Sequence, residues 1–172
     1  MPIYALGDRV PSIHPDAFVH PDAIIIGDVR LGPEASVWPS AVLRGDFGTV
    51  IVGGRTSIQD GAVIHATPEF ATVIGAGCVV GHLVHLEGCE IEDSCLIGSN
   101  CVILHRAMIR TGATVGASAV VTNGTEVPAG AMAIGIPATI KLGASSVAAI
   151  RQGADAYVAN AHRYRTELQW LG

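Results

Sequence analysis

Residues 91–127 read IEDSCLIGSNCVILHRAMIRTGATVGASAVVTNGTEV, and within them Ile91, Ile97, Ile103, Ile109, Val115, Val121 and Val127 stand at every sixth place. A six-residue period matches neither the 3.6-residue turn of a helix nor the two-residue alternation of an ordinary strand. It marks a solenoid in which short strands stack coil upon coil. Toward the N-terminus a step of five reaches Leu86, and the sixfold spacing returns through Val80 and Ile74. Beyond one interruption lie Ile64, Ile58 and Val52, and beyond another Leu43, Val37, Leu31, Ile25, Val19 and Ile13.

Four residues after most of these aliphatics comes a small side chain: Ala17, Ala23, Ala35, Ala41, Ala62, Ala107, Ala113 and Ala119, with Cys78, Cys95 and Cys101 in the same slot. Short strands joined by tight corners, three to a coil, put the aliphatics inside and the small residues where the interior narrows. The pattern predicts an all-β solenoid, a parallel β-helix of hexapeptide repeats over residues 1–140, and likeness to hexapeptide-repeat proteins implies a left-handed coil. From residue 145 the spacing turns helical, with Val147, Ile150, Ala154, Tyr157, Val158, Ala161, Tyr164, Leu168 and Leu171 on one stripe. A C-terminal α-helix over 145–172, packed on the solenoid, is expected.

A net charge of −5 with no basic run excludes a nucleic-acid partner. No leader or long apolar span is evident, so no membrane partner and a cytoplasmic location are expected. Three of the four cysteines occupy the small inward slot and read as compact core groups rather than zinc ligands or disulfide partners.

Rungs three apart share a face, about 4.8 Å from one coil to the next. Leu43, Ile64 and Leu86 are such rungs, and the residues directly after them are Arg44, His65 and Glu87. An arginine, an imidazole and a carboxylate thus form an outward column, with His85 on the other side of Leu86 and His105 one coil further along. His82 and Gln59 belong to a neighbouring face. Ligands split between two faces converge only where one subunit meets another, as in a closed threefold ring. His14, His20 and His162 have no such partners and are expected at the surface.

Several stretches carry a resemblance to the γ-class carbonic anhydrases and their bacterial hexapeptide-repeat homologues: Ile26-Gly27-Asp28-Val29, Ala35-Ser36-Val37-Trp38-Pro39, Ala41-Val42-Leu43-Arg44-Gly45-Asp46, Ile58-Gln59-Asp60-Gly61-Ala62-Val63-Ile64-His65 and Val80-Gly81-His82. It covers roughly residues 10–140. The resemblance implies a homotrimer with a metal at each subunit interface, zinc with iron or cobalt as alternatives, held by three histidines, two from one chain and one from the next. His65 and His82 match two of these. The third place, just before Gly88-Cys89, holds Glu87, and His85 is the nearby alternative. Two histidines and a carboxylate with an open fourth position remain an accepted catalytic zinc set.

By the same resemblance Gln59 hydrogen-bonds the metal-bound hydroxide, and Arg44, Asp46 and Asp60 form a charged network at the subunit boundary. Ser57 stands where the family often has asparagine, and Glu69, in the interruption 66–73, is the one acidic residue placed to serve as a proton shuttle. The implied activity on a small-molecule substrate is hydration of CO2 to bicarbonate. Three other readings share the fold: a zinc-dependent acyl thioesterase or amidase, a coenzyme-A-dependent acyltransferase with His65 or His105 as base, and a catalytically silent scaffold subunit.

Overall fold

A computed structural model describes residues 2–172. The chain winds into a left-handed β-solenoid of about seven turns with a single C-terminal helix. Its register follows the sixfold count. Val19, Val37, Ile58, Val80, Ile97 and Val115 are stacked partners on the first face. Ile25, Leu43, Ile64, Leu86, Ile103 and Val121 stack on the second, and Leu31, Val52, Ile74, Ile91, Ile109 and Val127 on the third. All of them are buried, and together with the small-slot residues they form one continuous core. Ile3 caps the second column by pairing with Ile25, an element the periodicity does not announce.

The corners explain the small slot. From Ala35 onward, the residue before each small side chain turns in the left-handed region, including the non-glycines Ser94, Asn100, Arg106 and Ser118 at φ of 55–62°. The next side chain then points into the narrow interior, where Cys95, Cys101, Ala107 and Ala119 fit without access to solvent. The four cysteines are free and buried and so serve as compact core groups; burial pushes the Cys89 thiol up to about 12.

One corner departs from this plan. The strands Ile24–Leu31 and Val42–Val52 run around it unbroken and pair Gly27 with Gly45, which merges the second and third faces into one 12-stranded sheet beside an 8-stranded first face. Only glycine fits at residue 45, since a Cβ there would lie 2.4 Å from the carbonyl oxygen of Asp28. Both interruptions of the repeat fall at this corner and touch: a Cβ on Gly48 would lie 2.2 Å from the carbonyl oxygen of Thr67.

The helix spans Val147–Glu167, capped at Ser146, and buries Ile150, Ala154, Val158 and Ala161. Ala161 joins Phe18 and Trp38, with Tyr157 and Tyr164 against them, in an aromatic seam on the first face. The indole Nε1 of Trp38 donates to Ser57 Oγ at 2.9 Å and Ser36 Oγ at 3.1 Å, so Ser57 supports the helix dock. The expected stripe stops short, because Leu168 and Leu171 lie beyond the helix and are exposed. By Arg165, whose guanidinium donates to the carbonyl of Ala17 at 2.7 Å, the helix has reached the first coil. His20 also departs from expectation. It is buried between Phe18 and Tyr164, with ring centroids 6.4 Å from each. Among the described residues no helix is long and apolar enough to cross a membrane.

Candidate metal and active site

The merged corner positions a ladder of acids and bases. At its base Arg44 is paired with Asp46. Asp46 Oδ1 lies 2.9 Å from His65 Nε2, and His65 Nδ1 lies 2.7 Å from Glu87 Oε1. His65 and Glu87 are direct register partners on adjacent strands, which is why their side chains meet. The other carboxylate oxygen of Glu87 faces His105 Nε2 at 3.3 Å and His85 Nε2 at 3.7 Å. His85 points outward from the flat face, its backbone aligned with Val63 and Val102, and so reaches Glu87 from the side.

Hydrogen bonding sets the electrostatics of the two carboxylates. The His65 hydrogen bond is the main influence on Glu87 and holds its carboxyl below the usual range; burial opposes it, and His105 adds to the lowering. For Asp46 burial acts upward, but the hydrogen bonds from His65 and Arg44 and the charge of Arg44 together outweigh it. Both groups are therefore anionic at neutral pH.

The two interruptions build the walls. Phe47 meets the His65 ring edge-on at 6.3 Å, and Phe70 lies 6.2 Å from the His105 ring. The second loop is held by reciprocal bonds between Thr67 and Phe70. Thr72 Oγ1 donates to the carbonyl of His65 and accepts from the Gly88 amide at 2.7 Å, tying the loop to two rungs of the ladder. Glu69 is exposed at the loop tip.

His82, Gln59 and Asp60 form a separate group on another side of the coil. His82 Nδ1 lies 3.0 Å from Asp60 Oδ2, with both side chains 49% exposed. Within one chain Asp60 pairs with His82, on a different side of the coil from Arg44 and Asp46. Gln59 is buried beside Tyr157 of the helix, whose hydroxyl is pushed up by burial and then by the charge of Asp60, with a hydrogen bond to Gln59 acting the other way. The approach of Tyr157 to this group and the contacts of Phe47 and Phe70 have no signal in the repeat, because all three arise from the helix dock and the interruptions.

Imidazole and carboxylate donors are the types a divalent ion such as zinc takes. His105 Nε2 faces Glu87 Oε2 at 3.3 Å without the alignment of a full hydrogen bond, a weaker contact than the one His65 makes. His65 has both nitrogens on carboxylates, so an ion at His65 replaces one of those hydrogen bonds. Among the described residues no three His, Cys, Asp or Glu side chains of one chain form a metal cage. The donor chemistry fits the ion, and a complete set calls for a donor from a second copy.

Strand order, register and corner chemistry define a hexapeptide-repeat β-helix protein. Residues 71–105 and 88–123 match the bacterial transferase hexapeptide family model. The chain is 37% identical to γ carbonic anhydrase 1, mitochondrial, of Arabidopsis thaliana over 90% of its own length and 60% of that protein's. It is 37% identical to the carnitine operon protein CaiE of Salmonella agona over 81% of this chain and 71% of that one. Among solved structures, a hexapeptide transferase family protein from Anaplasma phagocytophilum superposes with a TM-score of 0.91 at 31% identity, covering 95% of this chain and 98% of that one. A Bacillus cereus protein provisionally described as an acetyltransferase gives 0.93 at 34%, covering 97% and 98%. This chain belongs to the hexapeptide-repeat, left-handed β-helix family that contains the γ carbonic anhydrases and CaiE. It spans 60% of the length of the Arabidopsis relatives it matches.

Proposed function

We propose that this protein is a γ-carbonic-anhydrase-like metalloenzyme that hydrates CO2 to bicarbonate at the interfaces of a homotrimer. Its ion is zinc, with iron or cobalt as alternatives, held by His65 and Glu87 of one subunit and His82 of the next. The observation that carries this reading is the 2.7 Å contact between His65 Nδ1 and Glu87 Oε1, braced from below by Asp46 and Arg44. A proton shared between two potential ligands is what an incoming cation displaces.

Each residue has a part in that chemistry. When bound, the ion supplies Lewis acidity that lowers the pKa of a coordinated water. Asp46 fixes the His65 ring from behind, and Arg44 keeps Asp46 anionic, an outer layer that orients a ligand. Phe47 and Phe70 give the corner an apolar wall suited to an uncharged, weakly polar substrate. Gln59 and Asp60 travel with His82, so they enter from the neighbouring subunit, where Asp60 orients the His82 ring and Gln59 positions the reacting water. Exposed Leu83 and Val63 beside these groups support burial against a second copy.

Stopped-flow CO2 hydration on protein of measured metal content tests the proposal. Rates above buffer that scale with bound metal and vanish in His65→Ala are expected; rates no faster than buffer at full metal loading overturn it.

A second reading, coenzyme-A-dependent acyl transfer with His105 as base, is supported by the weakly held Nε2 of that residue and by the likeness to the Bacillus cereus protein. Acceptor-dependent release of free coenzyme A from acetyl-coenzyme A, with the acetyl group recovered on an added amine or alcohol, by metal-free protein and lost in His105→Ala, would favour it over hydration.

A further inference from the structure

Resting on the threefold assembly proposed above, we infer that Phe47 of one subunit docks against Tyr157 on the helix of the next, so that two subunits close an apolar roof over the site that neither holds alone. In one chain the Phe47 ring is 57% exposed, although it stands beside the acid–base ladder and meets His65 edge-on at 6.3 Å. It joins neither apolar cluster of its own chain. An aromatic ring left uncovered at the edge of a site is the type of side chain that anchors an interface.

The complementary surface lies on the other side of the coil. Tyr157 meets Trp38 edge-on with ring centroids 5.7 Å apart, which fixes its inner side, and its hydroxyl reaches Gln59 beside the Asp60–His82 pair. Next to it the helix leaves a hollow of about 630 Å³ lined by Ala156, Tyr157, Ala159, Asn160 and Arg163. Ala156 and Ala159 are exposed and too short to fill it. The assembly brings the two surfaces together. His65 and the His82 of the neighbour each lie about 2 Å from one ion; Phe47 flanks the first, and Tyr157 adjoins the group around the second. Charge agrees with this docking. Glu69 is exposed on the ladder side and makes no ion pair, while Arg163 stands at the hollow, over the Tyr164 ring at 5.8 Å, with no carboxylate partner among the described residues. Unlike charges on facing surfaces steer the approach and fix its register.

Cross-linking of the full-length, zinc-loaded protein tests the contact. The double variant Phe47→Cys/Ala159→Cys, treated with a short bismaleimide, should give covalent dimers and trimers on denaturing gels, and neither single variant should; the four native cysteines are buried and stay out of reach. Because Phe47 is exposed in the single chain, Phe47→Ala should fold normally. Its trimer dissociation constant, read by sedimentation, should rise about 30-fold or more, as for loss of an interface anchor. Phe47→Leu should retain most of the affinity. A trimer that gives no cross-link, or that assembles as tightly in Phe47→Ala as in wild type, overturns this contact and leaves the metal reading standing. Wild-type protein that stays monomeric with zinc present overturns both.

Discussion

Glu87 stands where the three-histidine pattern this chain resembles has an imidazole, and in the proposed site it is the residue that alters the chemistry. A carboxylate ligand lowers the effective positive charge of the ion, so a coordinated water ionises less readily than beside a third imidazole. Glu87→His removes that negative charge. The variant should raise hydration at neutral pH and move the midpoint of its pH–rate profile to lower pH, and stopped-flow profiles of variant and wild type compare the two directly. An unchanged midpoint would place Glu87 outside the ligand set. The sequence located Glu87 beside His65 by counting rungs alone, because a stacked register converts spacing into contact. It could not tell that within one chain Asp60 meets His82 at 3.0 Å, since the direction a side chain takes from a corner depends on what the corner packs against.

At the scale of the element, each rung contributes one aliphatic to a shared column, and that column also aims the site. Ile64 is fully buried directly below His65, with Leu43 and Leu86 as its stacked partners. Ile64→Ala should cost about 2–5 kcal/mol of stability and weaken metal binding as well, whereas Ile109→Ala on the third face should cost as much and leave metal binding intact. Chemical denaturation and chelator competition on the two variants separate these effects. The third face is braced by charge as well: Arg110 bridges Glu92 at 2.9 Å and Glu126 at 3.1 Å, and the Thr111 amide and hydroxyl also donate to Glu92.

The Arg110 contact, then the bonds from Thr111, hold Glu92 below its ordinary value of 4.5. As pH falls below that value the unfolded chain takes up protons before the folded one, so stability from this pairing is complete at neutral pH and lost in acid. The melting-temperature gap between wild type and Arg110→Ala should therefore be present at pH 7 and close progressively as pH drops below the ordinary glutamate range. A gap that persists unchanged in strong acid would remove the ion pair as its cause.

For the whole molecule the decisive feature is that the His65–Glu87 ladder and the His82–Asp60 pair lie on different sides of one coil. Leu83, next to His82, is held at a φ of 59° and is 61% exposed. The left-handed turn is the ordinary corner conformation that sends Val84 inward, as at Ser94, Asn100, Arg106 and Ser118, so it is the exposed apolar side chain beside His82 that a neighbour would cover. Under the proposed threefold assembly, Leu83→Asp should shift trimer to monomer and lower metal binding with it, as read by light scattering and metal analysis. A trimer that persists with full metal content would detach this surface from the interface.

The six-residue rhythm by itself determined the three-faced coil, the inward and outward sets, and the alignment of Arg44, His65 and Glu87, because a repeat fixes every position from a single count. Only the tertiary structure decided what the interruptions do: they stack at one corner, bring Asp46, Phe47 and Phe70 onto the ladder, and leave His105 against Glu87. The same holds for the helix, whose apolar stripe was legible but whose end was not. Periodicity encodes contacts between neighbouring coils, whereas loops and docked helices take their positions from surfaces that exist only once the coil has closed.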